Sequence, residues 1–317
     1  MHAVFLDSQT FHSSIKFTVI ENVVDSLTCF PLTHPNQIVE RAKNADIIIT
    51  NKVVLTASIL DQLPKLTLIC ISATGTNNVD LVAARARGIT VTNVSGYADQ
   101  AVSQYVLSQI LNYFSNITSH NQVTTNNTWQ ESPTFCVHGK GMTELQGKTL
   151  GILGYGSLGK AVGQLATAFG MKLLVSERPE SITTREGRVS FERMLSESDI
   201  VTLHCPQTPE TTNLINQSAL EKMQAHALLI NTARGGIVDS QALANALKKR
   251  AIAHAILDVL EQEPPPRDHP LLDSHITNVT ITAHIAWASF EAQERLLTLL
   301  AKNIVDFSND IPTNIVN

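Results

Sequence analysis

Three residues in the second half of the chain have side chains that could act on a small organic acid. The guanidinium group of Arg234 can bind a carboxylate through two parallel hydrogen bonds. His284 can give a proton in one direction and take it in the other, because an unperturbed imidazole has a pKa of about 6.5. Glu263 could accept a hydrogen bond from such an imidazole, which would select its tautomer and favour its charged form. Taken alone, each of the three is more often a surface or structural residue.

All three residues come after short apolar runs that predict strands. These runs cover residues 228–232, 253–259 and 279–283 and precede Arg234, Glu263 and His284, respectively. Open α/β sheets bind their ligands at the carboxyl ends of parallel strands. We therefore expect the three side chains at one edge of one sheet, where they would supply a carboxylate anchor, an acid–base group and the partner of that group.

A G-x-G-x-x-G motif follows another apolar run and predicts a strand, a tight turn and a helix that hold a dinucleotide pyrophosphate. Gly154 permits the turn, Gly156 lets the backbone approach the phosphates, and Gly159 lets the helix pack closely on the strand. The free N–H groups near Ser157 and Leu158 and the positive end of the helix dipole would stabilise the anion.

The next predicted strand, residues 171–176, ends at an acidic residue. Glu177 stands 23 positions after Gly154, close to the spacing of about 20 residues expected for the acid that binds the adenine ribose hydroxyls. A carboxylate repels a 2′-phosphate, so the sequence favours NAD. Arg178 could still reach a 2′-phosphate, which leaves NADP as an alternative.

In the first third of the chain, residues 72–78 lie between a predicted strand and a predicted helix. Successive backbone N–H groups in such a turn form an anion-binding nest. This segment, which begins with Ser72, Ala73, Thr74 and Gly75, is therefore a candidate second site for a substrate carboxylate.

Length and composition limit the possible classes of protein. With 317 residues the chain can form two domains, and a net charge of −5 gives no reason to expect a nucleic acid or membrane partner. The four cysteines are scattered without a C-x-x-C pair, which argues against a metal site or a disulfide framework: Cys29, Cys70, Cys136 and Cys205. With no signal peptide visible and no apolar run of about 18 residues, we expect a cytoplasmic protein.

Strand and helix patterns alternate along the chain, which predicts parallel sheets covered by helices. Further strands are predicted at residues 3–6, 46–50, 66–72, 89–92 and 199–205, with helices at 37–43, 79–87, 100–114 and 290–307. The polar stretch 115–147 is too long for an ordinary connection. It is either a surface insertion or a dimerisation arm. The second alternative would cover Trp129, Phe135 and Val137, which would otherwise be exposed.

The chain resembles the D-isomer-specific 2-hydroxyacid dehydrogenases over nearly its full length. The motifs that carry this resemblance are the glycine motif at 154–159, His204-Cys205-Pro206, 231–236, 257–259 with Glu263-Pro264, and 284–289. The resemblance implies an α/β fold of two doubly wound parallel-sheet domains. A Rossmann cofactor domain, residues 100–287, would be inserted in a flavodoxin-like substrate domain, residues 1–99 and 288–317. It also implies a homodimer joined partly through residues 115–147.

The resemblance further implies roles for individual residues. Arg234 would anchor the substrate carboxylate and carbonyl, His284 would be the acid–base group, Glu263 would tune His284, and residues 72–75 would contact the substrate. Besides the glycine motif, the implied cofactor contacts are Ser157, Leu158, Glu177, Cys205, Pro206, Thr211, Thr232, Ala233 and Asp258. From the residues alone, Asp258 could lie near a nicotinamide or cap a turn.

Within the family, residues 73–80, 88–93 and 286–289 are most similar to the glycerate dehydrogenases, also called hydroxypyruvate reductases. The expected reaction is reversible hydride transfer between NAD(H) and D-glycerate/hydroxypyruvate. The alternatives within the family are a glyoxylate reductase or a D-2-hydroxyacid dehydrogenase of broad range. A redox-sensing corepressor is an alternative from a different class.

Overall fold

The structure is a computed structural model that describes residues 1–181 and 183–317. The chain divides into two compact units, one formed by Met1–Ala98 with Trp287–Asn317 and the other by Asp99–Ala286. Each unit contains one parallel sheet with helices. No helix of the described residues combines the length and the apolar composition that a membrane crossing requires.

The first unit is built on a five-stranded parallel sheet in the order β2-β1-β3-β4-β5, which is the flavodoxin-like order. Its strands are β1 His2–Phe5, β2 Ser26–Cys29, β3 Ile47–Thr50, β4 Leu68–Ile71 and β5 Thr90–Thr92. Its helices are α1 Thr18–Glu21, α2 Ile38–Ala42, α3 Ala57–Leu60, α4 Leu81–Ala86 and a C-terminal helix, Phe290–Ser308. Every residue of β3 and β4 is buried, as expected for parallel strands covered on both faces.

The second unit contains a six-stranded parallel sheet in the order β11-β10-β9-β8-β6-β7. Its strands are β6 Thr149–Leu153, β7 Lys172–Val175, β8 Ile200–Leu203, β9 Leu228–Asn231, β10 His254–Leu257 and β11 Val279–Ile281. Its helices are α5 Asp99–Ser115, α6 Ile117–Thr125, α7 Ser157–Ala168, α8 Phe191–Glu197, α9 Gln217–Lys222 and α10 Ser240–Lys248. Since β7 and β8 flank β6 on opposite sides, the winding direction reverses at β6, where doubly wound sheets bind their ligands.

The predicted fold class is confirmed, and the observed elements differ from the predicted ones in a few places. The predicted helix 37–43 is a 3₁₀ turn, Pro35–Gln37, followed by α2. The stretch 115–147 contains α6, a helix without a buried residue. Strand β2 was not predicted, because its residues are mostly exposed and show no apolar alternation.

Candidate active site

The imidazole of His284 and the carboxylate of Glu263 form a direct hydrogen bond in the second unit. His284 Nδ1 lies 2.6 Å from Glu263 Oε2, and both side chains are partly exposed. The other carboxylate oxygen, Oε1, accepts a hydrogen bond of 3.0 Å from the Leu260 backbone N–H. A carboxylate fixed in this way holds the proton on Nδ1, which leaves Nε2 as the ring nitrogen that can exchange a proton with a ligand.

His284 has a backbone φ of 55°, a left-handed conformation that is uncommon for a residue other than glycine. Asp258, which is buried and follows β10, stabilises this turn with both its main chain and its side chain. Its carbonyl oxygen accepts from the His284 N–H at 2.8 Å, Oδ1 accepts from the Ile285 N–H at 2.9 Å, and Oδ2 accepts from the Ala286 N–H at 2.8 Å. Asp258 therefore caps the turn that presents the histidine.

A hydroxyl chain leads from α5 to the same aspartate. Thr282 Oγ1 donates its proton to Asp258 Oδ1 at 2.6 Å. Because the threonine hydroxyl has no second proton, the Tyr105 hydroxyl, which lies 2.6 Å away, must be the donor to Thr282 Oγ1. Burial raises the pKa of Tyr105 above its ordinary value, which keeps the phenol protonated. Neither Tyr105 nor Thr282 was identified from the sequence, since nothing in their types or spacing marks them.

Arg234 stands in a tight turn directly after β9. The buried Asn231 closes this turn: its Nδ2 donates to the Arg234 carbonyl at 2.9 Å, and its Oδ1 accepts from the Ala233 N–H at 3.0 Å. A Cβ atom on Gly235 would overlap the backbone of Leu260, so the two turns after β9 and β10 touch through their main chains. The structure therefore brings Arg234 and the Glu263–His284 pair to the carboxyl ends of three adjacent strands.

The glycine turn after β6 has the geometry required to hold a dinucleotide. Gly154 has a φ of 91°, and a Cβ there would lie 2.5 Å from the Cys205 nitrogen. A Cβ on Gly159 would overlap the Gly154 carbonyl oxygen, whereas a Cβ on Gly156 would meet no atom within 4 Å. Protein packing thus requires a glycine at positions 154 and 159. The open space at Gly156 fits a ligand that approaches the N-terminus of α7, where Ser157 and Leu158 lie.

Glu177 lies beside this turn, since β6 and β7 are neighbouring parallel strands. Its side chain is only 4% exposed and is bound by a fork from Arg185, with Nε at 2.7 Å from Oε2 and Nη2 at 2.5 Å from Oε1. The Arg178 N–H donates to Oε1 at 2.9 Å and the Arg185 N–H to Oε2 at 3.3 Å. These hydrogen bonds, with the one from the Arg185 side chain foremost, lower the pKa of Glu177 to about 2.

The other predicted cofactor residues lie in loops that follow β8 and β9. Burial raises the pKa of Cys205 to about 11, so its thiol is neutral. Thr211 Oγ1 accepts from the Thr208 N–H at 2.7 Å and donates to the Pro206 carbonyl at 2.8 Å, which closes the loop after β8. After β9, next to Ala233, the Thr232 hydroxyl is buried and has no partner among the described residues.

The predicted substrate loop, residues 72–75, lies in the first unit directly after β4. The Asn51 amide donates to the Ser72 carbonyl at 3.1 Å, and the Val94 N–H donates to the Ala73 carbonyl at 3.1 Å. The Asn93 amide donates to the Thr74 carbonyl at 2.7 Å. Three successive carbonyl groups therefore face protein donors.

The loop itself is supported by a buried carboxylate that was not identified from the sequence. Asp7 accepts hydrogen bonds from the backbone N–H groups of Asn51 and Lys52, at 2.9 Å and 2.6 Å, which fixes the segment that carries the Asn51 amide. Among the residues that the structure describes, no three His, Cys, Asp or Glu side chains are placed to hold a metal ion.

Comparison with known proteins agrees with this geometry. Residues 107–286 match the model of the D-isomer specific 2-hydroxyacid dehydrogenase NAD binding domain. The chain is 42% identical over 282 residues to a glycerate dehydrogenase of Methylorubrum extorquens, covering 89% of this chain and 88% of that protein. It is 35% identical over 289 residues to a hydroxypyruvate reductase of Blautia hydrogenotrophica, with 90% and 89% covered. A glyoxylate reductase of Korarchaeum cryptofilum is 36% identical over 291 residues, with 88% and 85% covered.

Among solved structures, the TT0316 protein from Thermus thermophilus is similar over 100% of both chains, with a TM-score of 0.85 and 30% identity. Two doubly wound sheets, a glycine turn for a dinucleotide and a paired histidine define a nicotinamide-dependent oxidoreductase. The chain belongs to the D-isomer-specific 2-hydroxyacid dehydrogenase family, as the sequence motifs predicted.

Proposed function

We propose that this enzyme reversibly reduces a small 2-oxo acid to the D-2-hydroxy acid, with hydroxypyruvate and D-glycerate as its preferred pair. The observation that carries the proposal is the 2.6 Å hydrogen bond between His284 and Glu263, next to the turn that bears Arg234. The similarity to a glycerate dehydrogenase and to a hydroxypyruvate reductase supports the choice of substrate.

In the reducing direction, Arg234 binds the substrate carboxylate and polarises the carbonyl group. His284, protonated and paired with Glu263, donates its Nε2 proton to the carbonyl oxygen as negative charge develops there. In the oxidising direction the same nitrogen takes the hydroxyl proton. The backbone N–H groups of residues 72–75 are proposed as a further carboxylate-binding segment.

The hydride carrier is a nicotinamide dinucleotide, which supplies hydride to the carbonyl carbon when it is bound. We propose NAD(H) in this role, with the pyrophosphate at Gly154, Gly156 and the start of α7, and with the adenine ribose beside the end of β7, where Glu177 and its partner Arg185 lie. The other contacts proposed for it are Ser157, Leu158, Gly159, Cys205, Pro206, Thr211, Thr232, Ala233 and Asp258. Residues 100–287 would then be the cofactor domain, and residues 1–99 with 288–317 the substrate domain.

The first test measures NADH and NADPH oxidation with hydroxypyruvate, glyoxylate, pyruvate and a bulkier 2-oxo acid on one enzyme preparation. We expect the highest kcat/KM with hydroxypyruvate. A higher value with glyoxylate would favour the second candidate, a glyoxylate reductase, which the relative of that name supports. Absence of turnover with every acid would contradict the proposed reaction and favour a binding protein.

Replacement of the anchor tests the mechanism. Arg234→Ala should lower kcat/KM by about 10²–10³-fold, since a charge that stabilises the developing alkoxide is lost. Arg234→Lys keeps the charge without the planar fork and should recover only part of the loss. Arg193→Ala removes an exposed arginine of α8 and serves as the control. Near-normal turnover of Arg234→Ala would contradict its role.

We also propose that the enzyme is a homodimer that uses residues 115–147. This segment exposes large apolar side chains, with Phe135 90% and Trp129 50% exposed, and the Trp129 indole N–H donates to the Phe135 carbonyl at 2.9 Å. Exposed apolar patches of this kind mark interaction surfaces. Light scattering after size exclusion should give a dimer for the wild type and a monomer for Phe135→Asp. Val82→Asp, at a valine of α4 that is 82% exposed, should stay dimeric; a wild-type monomer would contradict the proposal.

A further inference from the structure

The carboxylate expected to receive the adenine ribose is already fully hydrogen-bonded within the protein. Each oxygen of Glu177 accepts two N–H groups, from Arg178 and Arg185, and the side chain is almost completely buried. A carboxylate has about four lone-pair sites, so these donors use its capacity. A ribose hydroxyl could reach Glu177 only by displacing Arg185.

The group that does face solvent at this position is a cation. The Arg185 side chain is 60% exposed, and its Nη1 has no hydrogen-bond partner among the described residues. The guanidinium of Arg178 likewise has no hydrogen bond or ion pair to any described residue, and Arg188 Nη1 donates to the Ser176 carbonyl at 3.0 Å. Of the three arginines near the end of β7, Arg185 is therefore the one whose side chain pairs with the Glu177 carboxylate.

Glu180 and Glu186 also lie in this loop, and both are exposed. Within the described part of the chain, neither forms an ion pair with the three arginines, so neither occupies the Arg185 guanidinium. The free N–H groups of that guanidinium are suited to a phosphate, which takes bidentate hydrogen bonds from arginine. A ribose hydroxyl gains less from the same group because it carries no charge.

We propose that Arg185 determines cofactor specificity. It neutralises Glu177 and offers its free N–H groups to the 2′-phosphate of NADP(H). The enzyme therefore binds NADP(H) with an affinity within about tenfold of its affinity for NAD(H). The inference rests on the dinucleotide site of the proposed function. It replaces the simple expectation that an acid at this position excludes a 2′-phosphate.

The experiment measures dissociation constants of NADH and NADPH by fluorescence titration without substrate, so that it does not depend on turnover. For the wild type we expect a ratio of no more than about tenfold. In Arg185→Gln the NADPH dissociation constant should rise at least tenfold, since charge-assisted hydrogen bonds to the 2′-phosphate are lost, whereas that of NADH should stay equal or fall because Glu177 is released.

Two further variants keep the test decisive. Arg185→Lys retains the charge without the planar fork and should weaken NADPH binding by a smaller factor than Arg185→Gln does. This variant still tests the role of Arg185 if Arg185→Gln does not fold. Arg193→Gln removes one positive charge from α8 and should change neither constant. Wild-type discrimination of more than about tenfold against NADPH, or an unchanged NADPH constant in Arg185→Gln, would overturn the proposal.

The same titration separates this proposal from the proposed reaction. Binding of both dinucleotides without turnover of any 2-oxo acid would uphold the role of Arg185 and reject the reaction. Binding of neither would overturn the dinucleotide site and the role of Arg185 together.

Discussion

Glu263 fixes its histidine with one carboxylate oxygen and is itself fixed through the other. The Leu260 N–H holds Oε1, so the carboxylate cannot turn away from His284 without losing a backbone hydrogen bond. The negative charge of Glu263 therefore stays against Nδ1, on the opposite side of the ring from the nitrogen proposed to donate the proton. Glu263 is therefore the residue that positions the proposed acid–base group.

Glu263→Gln should lower kcat/KM for reduction by at least about tenfold, because a neutral amide holds the His284 ring and its Nδ1 proton less firmly than the carboxylate does. The measurement is kcat/KM for the preferred 2-oxo acid between pH 5 and 9. Glu261→Gln is a matched control, since Glu261 is bound by Ser240 and His269. An unchanged kcat/KM in Glu263→Gln across this range would mean that the pair does not act together.

The catalytic candidates could be identified from the sequence, whereas the contact between Arg185 and Glu177 could not. Arg234, Glu263 and His284 each follow a strand, and strand order alone brings them to one sheet edge. The position of Arg185 depends on the path of an irregular loop, which periodicity does not encode. The sequence indicated Arg178 instead, and in the structure Arg178 contacts Glu177 only through its backbone N–H.

At the scale of elements, the turn between β6 and α7 contains two glycines with different roles: protein packing requires Gly154, whereas ligand access is proposed to require Gly156. Gly154→Ala should lower the free energy of unfolding by more than about 2 kcal/mol, because its φ of 91° and its contact with Cys205 both exclude a side chain. Gly156→Ala should cost less than about 1 kcal/mol, since its Cβ has free space, yet it should weaken NADH binding at least tenfold.

Chemical denaturation and NADH titration of the two variants measure these effects on the same protein samples. The variants serve as controls for each other, since one probes packing and the other the approach of a ligand. Wild-type NADH affinity in Gly156→Ala would contradict the placement of the pyrophosphate against this turn.

The elements that could be predicted are those whose burial leaves a pattern in the sequence. Strands β3, β8 and β9 are buried along their whole length and read as continuous apolar runs. The edge strand β2 is mostly exposed, and α6 has no buried residue, so neither shows the periodicity on which a prediction depends. Strand β2 is defined instead by its parallel pairing with β1, which the sequence does not display.

At the scale of the molecule, the desolvated imidazole of His204 makes stability depend on pH. Burial lowers the pKa of His204, which follows β8, to about 4, and the unfolded chain binds a proton at about 6.5. The unfolded state therefore binds more protons below pH 6.5, so the stabilisation is complete above that pH and is lost as the pH falls towards 4. Between pH 8 and pH 5 this histidine should lower the free energy of unfolding by about 2 kcal/mol.

His204→Gln should lose about 2 kcal/mol less stability than the wild type over the same pH interval. Urea denaturation at pH 8 and at pH 5, without cofactor, measures the difference. His12→Gln removes an exposed histidine and should lose as much as the wild type. An equal loss in His204→Gln and the wild type would show that His204 does not titrate between these pH values.

The division of the chain into units also determines the order in which the protein can fold during synthesis. The first unit needs its C-terminal helix, whose Leu296 and Leu300 are buried, and Asn317, whose amide donates to the Ile89 carbonyl at 2.7 Å. Those residues leave the ribosome after all of Asp99–Ala286 has been translated. Domains ordinarily fold from the N-terminus onward. Here the unit that is translated second is complete first, and the unit that contains Met1 must wait for Trp287–Asn317.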